Sequence, residues 1–253
     1  NFYGEITGMD RAFGKLREEV KELGLRDNTL LWYCSDNGGL PNLGSTGGRG
    51  DKGDIYEGGL RVPAFIEWPE RIASGSVTNL PGCTYDIYPT LLDLVGVEME
   101  GQPPLDGISL LPLLSGQMEN RGRPLGFWDY PAKGIRTPSA ELMADLLEAQ
   151  KEGKDIAHPE LLRLDSGSVS RKYSLETFPG HAAWLDWPWK LHRIEKDGEN
   201  TIRFQLYNLD DDPMEENVVI QENGDRFERM RNELEAWQAS VVRSLNGEDY
   251  EDG

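Results

Sequence analysis

The chain has 253 residues, of which 38% are apolar and 28% charged, enough hydrophobic material for a core and too much for a wholly disordered chain. Acidic residues outnumber basic ones 45 to 26, giving a formal charge of -19. That balance disfavours nucleic acid and anionic lipid as partners, because both require clustered Lys and Arg. No run approaches the ~18 apolar residues of a membrane span. Two cysteines, Cys34 and Cys83, cannot form a disulfide scaffold and match no zinc spacing, so Cys34, in an apolar run, reads as a buried inert thiol.

Met9, Phe13, Leu16, Val20 and Leu23 recur at steps of four and three, which predicts a helix over 5–24 with Gly24 as its stop. After the turn Asp27-Asn28-Thr29, the short run Leu30-Leu31-Trp32-Tyr33-Cys34 suits a strand buried on both faces, as in a parallel sheet. It ends at Ser35-Asp36-Asn37-Gly38-Gly39. From there to Gly59 the chain is dense in glycine and carries charge, and a loop of that length without periodicity is functional or disordered. Val62–Trp68 reads as another strand, and Tyr85–Val95 as a helix with Pro89 tolerated in its first turn.

Composition shifts near 101–104 and again at 120–124, which puts a boundary near residue 120. The expected division is 1–120, part of a main α/β domain, and 121–253, a smaller subdomain with a polar insertion near 134–170. Within the second part, Leu125–Tyr130 reads as a strand, and Ala140–Gln150 as a helix inside the polar stretch. Trp184–Ile194 and Thr201–Tyr207 read as two strands joined by the turn Lys196–Asn200. Phe227, Met230, Leu234, Trp237 and Val241 form the stripe of a final helix.

The chemistry concentrates in the glycine-rich segment. Ligands gather beyond the carboxyl ends of strands in parallel sheets. Asp36 and Asn37 stand at such an end and offer a carboxylate and an amide oxygen, hard donors that suit calcium or magnesium; Asp-Asn-Gly is also an ordinary turn sequence. Lys52 lies among glycines whose backbone amides can approach an anion, to which its ammonium adds a point charge; it also reads as a solvated loop lysine. The segment is not a nucleotide P-loop, since Gly53 follows Lys52. Arg49 could serve the same anion or pair with Asp51 or Glu57.

These residues, in this order, resemble the type I sulfatases of the alkaline-phosphatase-like superfamily. The likeness rests on Ser35-Asp36-Asn37-Gly38, Gly48-Arg49-Gly50-Asp51-Lys52-Gly53 and Tyr56-Glu57-Gly58-Gly59-Leu60-Arg61-Val62-Pro63. It continues through Asp86–Leu92, Asp106–Leu110, Trp189-Lys190-Leu191 and Leu206–Pro213. The resemblance implies an α/β fold, a mixed, mainly parallel sheet flanked by helices, followed by a small α+β subdomain. It also implies hydrolysis of a sulfate ester, with a sulfated carbohydrate or small molecule as the expected substrate, in the periplasm or outside the cell. By resemblance, Asp36 and Asn37 bind calcium (Ca2+) and Lys52 contacts the substrate sulfate. Asp51 stands where such sequences commonly have glycine, and could draw Lys52 aside or sit in solvent.

The family's nucleophile is a formylglycine made from Cys or Ser in C/S-x-P-x-R. The sequence contains no such motif, nor the aspartate pair of the family's first strand. The expectation is therefore a C-terminal portion of a sulfatase, inactive alone, with the nucleophile supplied by an N-terminal half. A phosphoesterase or phosphonate hydrolase of the same superfamily, and a non-catalytic glycan-binding module, are the competing readings.

Near the C-terminal part, the resemblance puts His181 at the border of the substrate pocket, where it could bond a sugar hydroxyl; the alternative is a structural histidine. Trp184, Trp187 and Trp189 either stack on a sugar or fill an interface. His158 and His192 are given no role. Asp210-Asp211-Asp212 reads as a turn closed by Pro213 rather than a second calcium site.

Overall fold

The structure is a computed structural model that describes residues 2–41, 47–131, 139–154, 173–195 and 201–249. His158, the turn Lys196–Asn200, Gly44–Thr46 and most of the 134–170 insertion lie outside the described residues.

Helix α1 runs Phe2–Glu22 and stops at Gly24, whose φ of 71° is the left-handed geometry that glycine adopts without strain. Its apolar stripe makes contact chiefly at the centre. Phe13 meets Phe65 and Tyr33 edge-on, with ring centroids 5.0 and 5.8 Å apart, while Arg17 pairs with Glu67 at 2.5 Å. Ile6, Met9 and Leu16 remain exposed.

Beneath Phe13, β1 (Leu31–Cys34) pairs antiparallel with β2 (Ala64–Glu67), in the register Leu31↔Glu67 to Cys34↔Ala64. The parallel, doubly buried strand expected at 30–34 is thus corrected. All four residues of β1 are half-buried, and Cys34 is a half-buried free thiol. A four-residue apolar run carries no information on the direction of its partner, and Tyr33 packs against Phe13 and Phe65 without being sealed from water.

Between β1 and β2 lie the glycine-rich loop and a one-turn helix α2 (Glu57–Leu60). Helix α3 (Ile87–Val95) ends at Gly96, with φ 66°. The preceding Asp86 is fully buried and takes a two-pronged ion pair from Arg121, both bonds 2.7 Å, while also accepting the backbone N–H groups of Cys83 and Ile108. The segments 86–92 and 106–110 therefore meet at one carboxylate. The short helix α4 (Leu111–Leu114) follows.

The second sheet is antiparallel, ordered β3-β4-β5-β6: Leu125–Asp129, Gly180–Asp186, Trp189–Glu195 and Ile202–Asn208. The single strand expected at Trp184–Ile194 is two strands turning at Trp187-Pro188. The apolar pattern runs across the turn, but proline has no N–H for a ladder and marks the break. Helix α5 (Ser139–Lys151) covers the stretch expected to be helical.

Helix α6 (Gly224–Leu245) lays Met230 and Leu234 on Ala182, Leu191 and Leu206. Full burial of each such side chain stabilises by about 1.5–3 kcal/mol. Trp237 presses so closely on β3 that a Cβ at Gly126 would stand 2.4 Å from its ring, which explains a glycine inside a strand. Trp184 is buried against this helix and donates to Glu233, while Trp187 and Trp189 pack on the two apolar clusters, so the tryptophans fill interfaces.

The helices and sheets together give an α/β architecture, with every strand pairing among the described residues antiparallel. No helix among the described residues is long and apolar enough to cross a membrane.

Candidate functional site

The chain leaves β1 at Ser35 and enters the turn Asp36-Asn37-Gly38-Gly39. Two backbone hydrogen bonds fasten this turn to the later part of the glycine loop. Gly38 N–H donates to Gly59 O, and Lys52 N–H donates to Gly39 O, both 2.8 Å. The approach is close enough that a Cβ on Gly38 would stand 1.8 Å from the carbonyl oxygen of Gly58. Only glycine permits this contact, so the Asp-Asn turn and the lysine loop are held as one unit.

Asp36 is exposed, with its carboxylate open to water. Asn37 is half-buried, and its side-chain N–H donates to Gly38 O at 3.0 Å. That bond engages the amide N–H and leaves the amide oxygen, a hard donor, without a hydrogen bond among the described residues. Hard oxygens from two consecutive residues could supply part of a calcium shell, which wants roughly 6–8. No cluster of three or more metal-binding side chains occurs among the described residues.

Lys52 is exposed at the tip of the turn Asp51–Asp54. This turn is closed by Asp54 N–H on Asp51 O at 2.9 Å and by Asp51 N–H on the Asp54 carboxylate at 2.8 Å. Among the described residues Asp51 forms no ion pair with Lys52, so it does not hold the ammonium aside. Arg49 is engaged with the residues behind the loop. Its guanidinium lies 4.1 Å from the centre of the Tyr56 ring and donates to Glu215 O at 3.0 Å. It pairs with neither Asp51 nor Glu57.

Behind the loop stands a network that the sequence reading missed. Lys190 is fully buried, with its ammonium 2.8 Å from Glu57 and 3.1 Å from Glu215. Glu215, also fully buried, accepts the Glu57 backbone N–H at 2.7 Å and stands 2.7 Å from His192 Nε2. His192 Nδ1 lies 2.8 Å from His181 Nε2. His181 is half-buried, and its ring meets Tyr56 edge-on at 5.0 Å. Burial is the main force lowering the His181 pKa to about 4, with His192 and Lys190 adding to it and the Asp54 and Glu215 carboxylates opposing. His192 is pushed well below its ordinary value by burial, then by Lys190 and Arg49.

The structure thus brings Asp36, Asn37 and Lys52 onto one backbone-tied loop and sets His181 against Tyr56 of the same loop. The Asp210–Asp212 run is a turn: Asp212 accepts the backbone N–H groups of Glu216 and Asn217. The usable signal for the missed network was Glu57 and Lys190 inside the motifs Tyr56–Gly59 and Trp189–Leu191, two charges in otherwise apolar or glycine settings.

The sulfatase family model matches residues 1–97, which include the whole Asp36–Gly59 loop. The chain is similar to the sulfatases over those residues. It is 36% identical to steryl-sulfatase of Mus musculus over 128 residues, 46% of this chain and 20% of that protein. The solved structure of Ps i-CgsB in complex with k-i-k-neocarrahexaose aligns with a TM-score of 0.60 at 26% identity, covering 94% of this chain and 45% of that one. The phosphonate monoester hydrolase of Agrobacterium radiobacter aligns with a TM-score of 0.55 at 22% identity, covering 96% of this chain and 40% of that one, a likeness of fold. The chain therefore spans less than half the length of the proteins it matches.

Proposed function

We propose that the protein containing this chain hydrolyses sulfate esters, with sulfated carbohydrate as its substrate class. The observation carrying the reading is the pair of backbone bonds Gly38–Gly59 and Gly39–Lys52, which put a hard-oxygen pair and an ammonium on one loop. Sulfate ester cleavage builds negative charge on the sulfuryl and leaving oxygens, and fixed positive groups stabilise it.

In this reading Lys52 holds the sulfuryl oxygens. Asp36 and Asn37 hold calcium, which when bound adds Lewis-acid stabilisation of the same charge. The sequence has no C/S-x-P-x-R, so these 253 residues supply no formylglycine, and the nucleophile belongs to another part of the protein. This reading assigns His181, whose ring meets Tyr56 of the same loop, to a sugar hydroxyl. The carbohydrate class is supported by the structural neighbour bound to an oligosaccharide. It also favours a periplasmic or extracellular setting, where sulfated polysaccharides are met.

The test is release of inorganic sulfate by the full-length protein from sulfated saccharides and an aryl sulfate, beside a phosphonate monoester. Sulfate release abolished by chelator and strongly reduced in Lys52→Ala is the expected result. Preference for the phosphonate ester would transfer the protein to the competing reading, and no turnover of any ester would favour a glycan-binding role.

A further inference from the structure

His181, His192 and Glu215 form a row whose proton positions can be worked out from its far end. The Glu215 carboxylate lies beside the Lys190 ammonium and accepts hydrogen bonds only. His192 Nε2, 2.7 Å from that carboxylate, must therefore carry the proton. A neutral imidazole has one N–H, so His192 Nδ1 is an acceptor, and His181 Nε2, 2.8 Å away, must donate to it. His192 is fully buried, with Lys190 and Arg49 nearby, a setting hostile to a second proton.

This chain of assignments leaves His181 Nδ1 with a bare lone pair. That nitrogen makes no hydrogen bond among the described residues, and it is not among the buried polar atoms cut off from water. The ring is clamped by its contact with Tyr56, whose hydroxyl donates to Gln205 at 2.7 Å. Tyr56 closes the same loop that carries Lys52.

We infer that His192 and Glu215 are positioning residues that lock His181 in its Nε2–H form, so that it offers Nδ1 as an acceptor to a hydroxyl of the substrate held at the glycine loop. The identity of the substrate rests on the sulfate-ester reading; the locked tautomer does not. The ammonium of Lys52 selects the anionic group, and His181 selects a hydroxyl donor beside it. A neutral ring that cannot readily take a proton keeps this acceptor over the whole neutral range.

The tautomer is read by long-range proton–nitrogen NMR of the 15N-labelled chain near pH 7. The sequence has three histidines, and His158→Gln and His181→Asn assign them. His181 protonated on Nε2 and bare on Nδ1 is expected, with a mixture of tautomers in His192→Phe, whose cooperative melt, at a lower temperature because Glu215 loses a partner, confirms that it is folded. His181 protonated on Nδ1 in the wild type would overturn the inference without any variant, and an unchanged tautomer in His192→Phe would remove the positioning role.

In the full-length protein, His181→Phe should raise KM about tenfold, the scale of one hydrogen bond, with a smaller change in kcat. His181→Asn, whose amide oxygen can stand near the Nδ1 position, should recover most of it. Equal KM for wild type and His181→Phe would overturn the substrate contact. A protein without sulfatase activity but with the expected tautomer would instead count against the reading of function.

Discussion

Lys190 places its ammonium 2.8 Å from Glu57 Oε1, joining two side chains 133 residues apart in the sequence. The same ammonium is 3.1 Å from Glu215, and Arg49 donates to the Glu215 carbonyl. The charges are buried, so each depends on the others. Their arrangement bolts the glycine loop to the four-stranded sheet and sets the loop's orientation.

Lys190→Met should therefore destabilise the chain by about 3–5 kcal/mol, because two buried carboxylates lose their counter-charge. Lys190→Met combined with Glu57→Gln should recover part of that loss. Urea unfolding of the three proteins checks it. A cost under about 1 kcal/mol for the single change would show that the network is not a clamp.

The histidines predict an acid sensitivity. His181, with a pKa near 4, and His192, well below its ordinary value, resist protons that the unfolded chain takes up below about 6.5. The unfolded state then binds more protons than the native state, so this contribution is full above about pH 6.5. It falls as the pH drops towards 4, and for His192 the loss continues lower. Melting temperatures across this range should decline, and His192→Gln should decline less steeply. Parallel curves for the two proteins would contradict the assignment.

Local signals made much of the fold legible. The stripes at Met9–Leu23 and Phe227–Val241 announced α1 and α6, and Gly24 marked a helix end. The pairing of Leu31–Cys34 was not legible, since a short apolar run fits either strand direction. The turn at Trp187-Pro188 was hidden because Trp184, Leu185, Trp187 and Trp189 read as one apolar stretch. In the site, Asp36, Asn37 and Lys52 stood out as polar groups in glycine surroundings. Lys190, His192 and Glu215 did not, because their meaning lies in contacts with residues far away in sequence: Glu57 pairs with Lys190 across 133 positions, and its backbone N–H with Glu215 across 158.

Lys52 is exposed and packs little, so Lys52→Ala should leave the melting temperature of the full-length protein almost unchanged. It should lower kcat by about 10²–10³, the scale for losing one preorganised electrostatic donor. Lys52→Arg should recover little, since a planar fork is a poor substitute for a compact charge in a tight loop. Kinetics beside a thermal melt decide this; near wild-type kcat in Lys52→Ala would remove the lysine from the site.

The chain by itself should not turn over an aryl sulfate, because its sequence lacks C/S-x-P-x-R. It should also bind calcium weakly, since Asp36 and Asn37 supply two of the roughly 6–8 oxygens wanted. Calorimetry of the 253-residue chain with calcium checks the second point, and sub-micromolar affinity would mean that other ligands lie within it.

The central claim is that one loop gathers Asp36, Asn37 and Lys52 around a sulfate ester. It is tested most directly by a crystal structure of the full-length protein soaked with calcium and a sulfated saccharide. The account predicts calcium within about 2.3–2.6 Å of side-chain oxygens of both Asp36 and Asn37. It also predicts the Lys52 ammonium within about 3 Å of a sulfuryl oxygen. Calcium bound elsewhere, or a sulfate group held by other residues with Lys52 pointing into solvent, would contradict it.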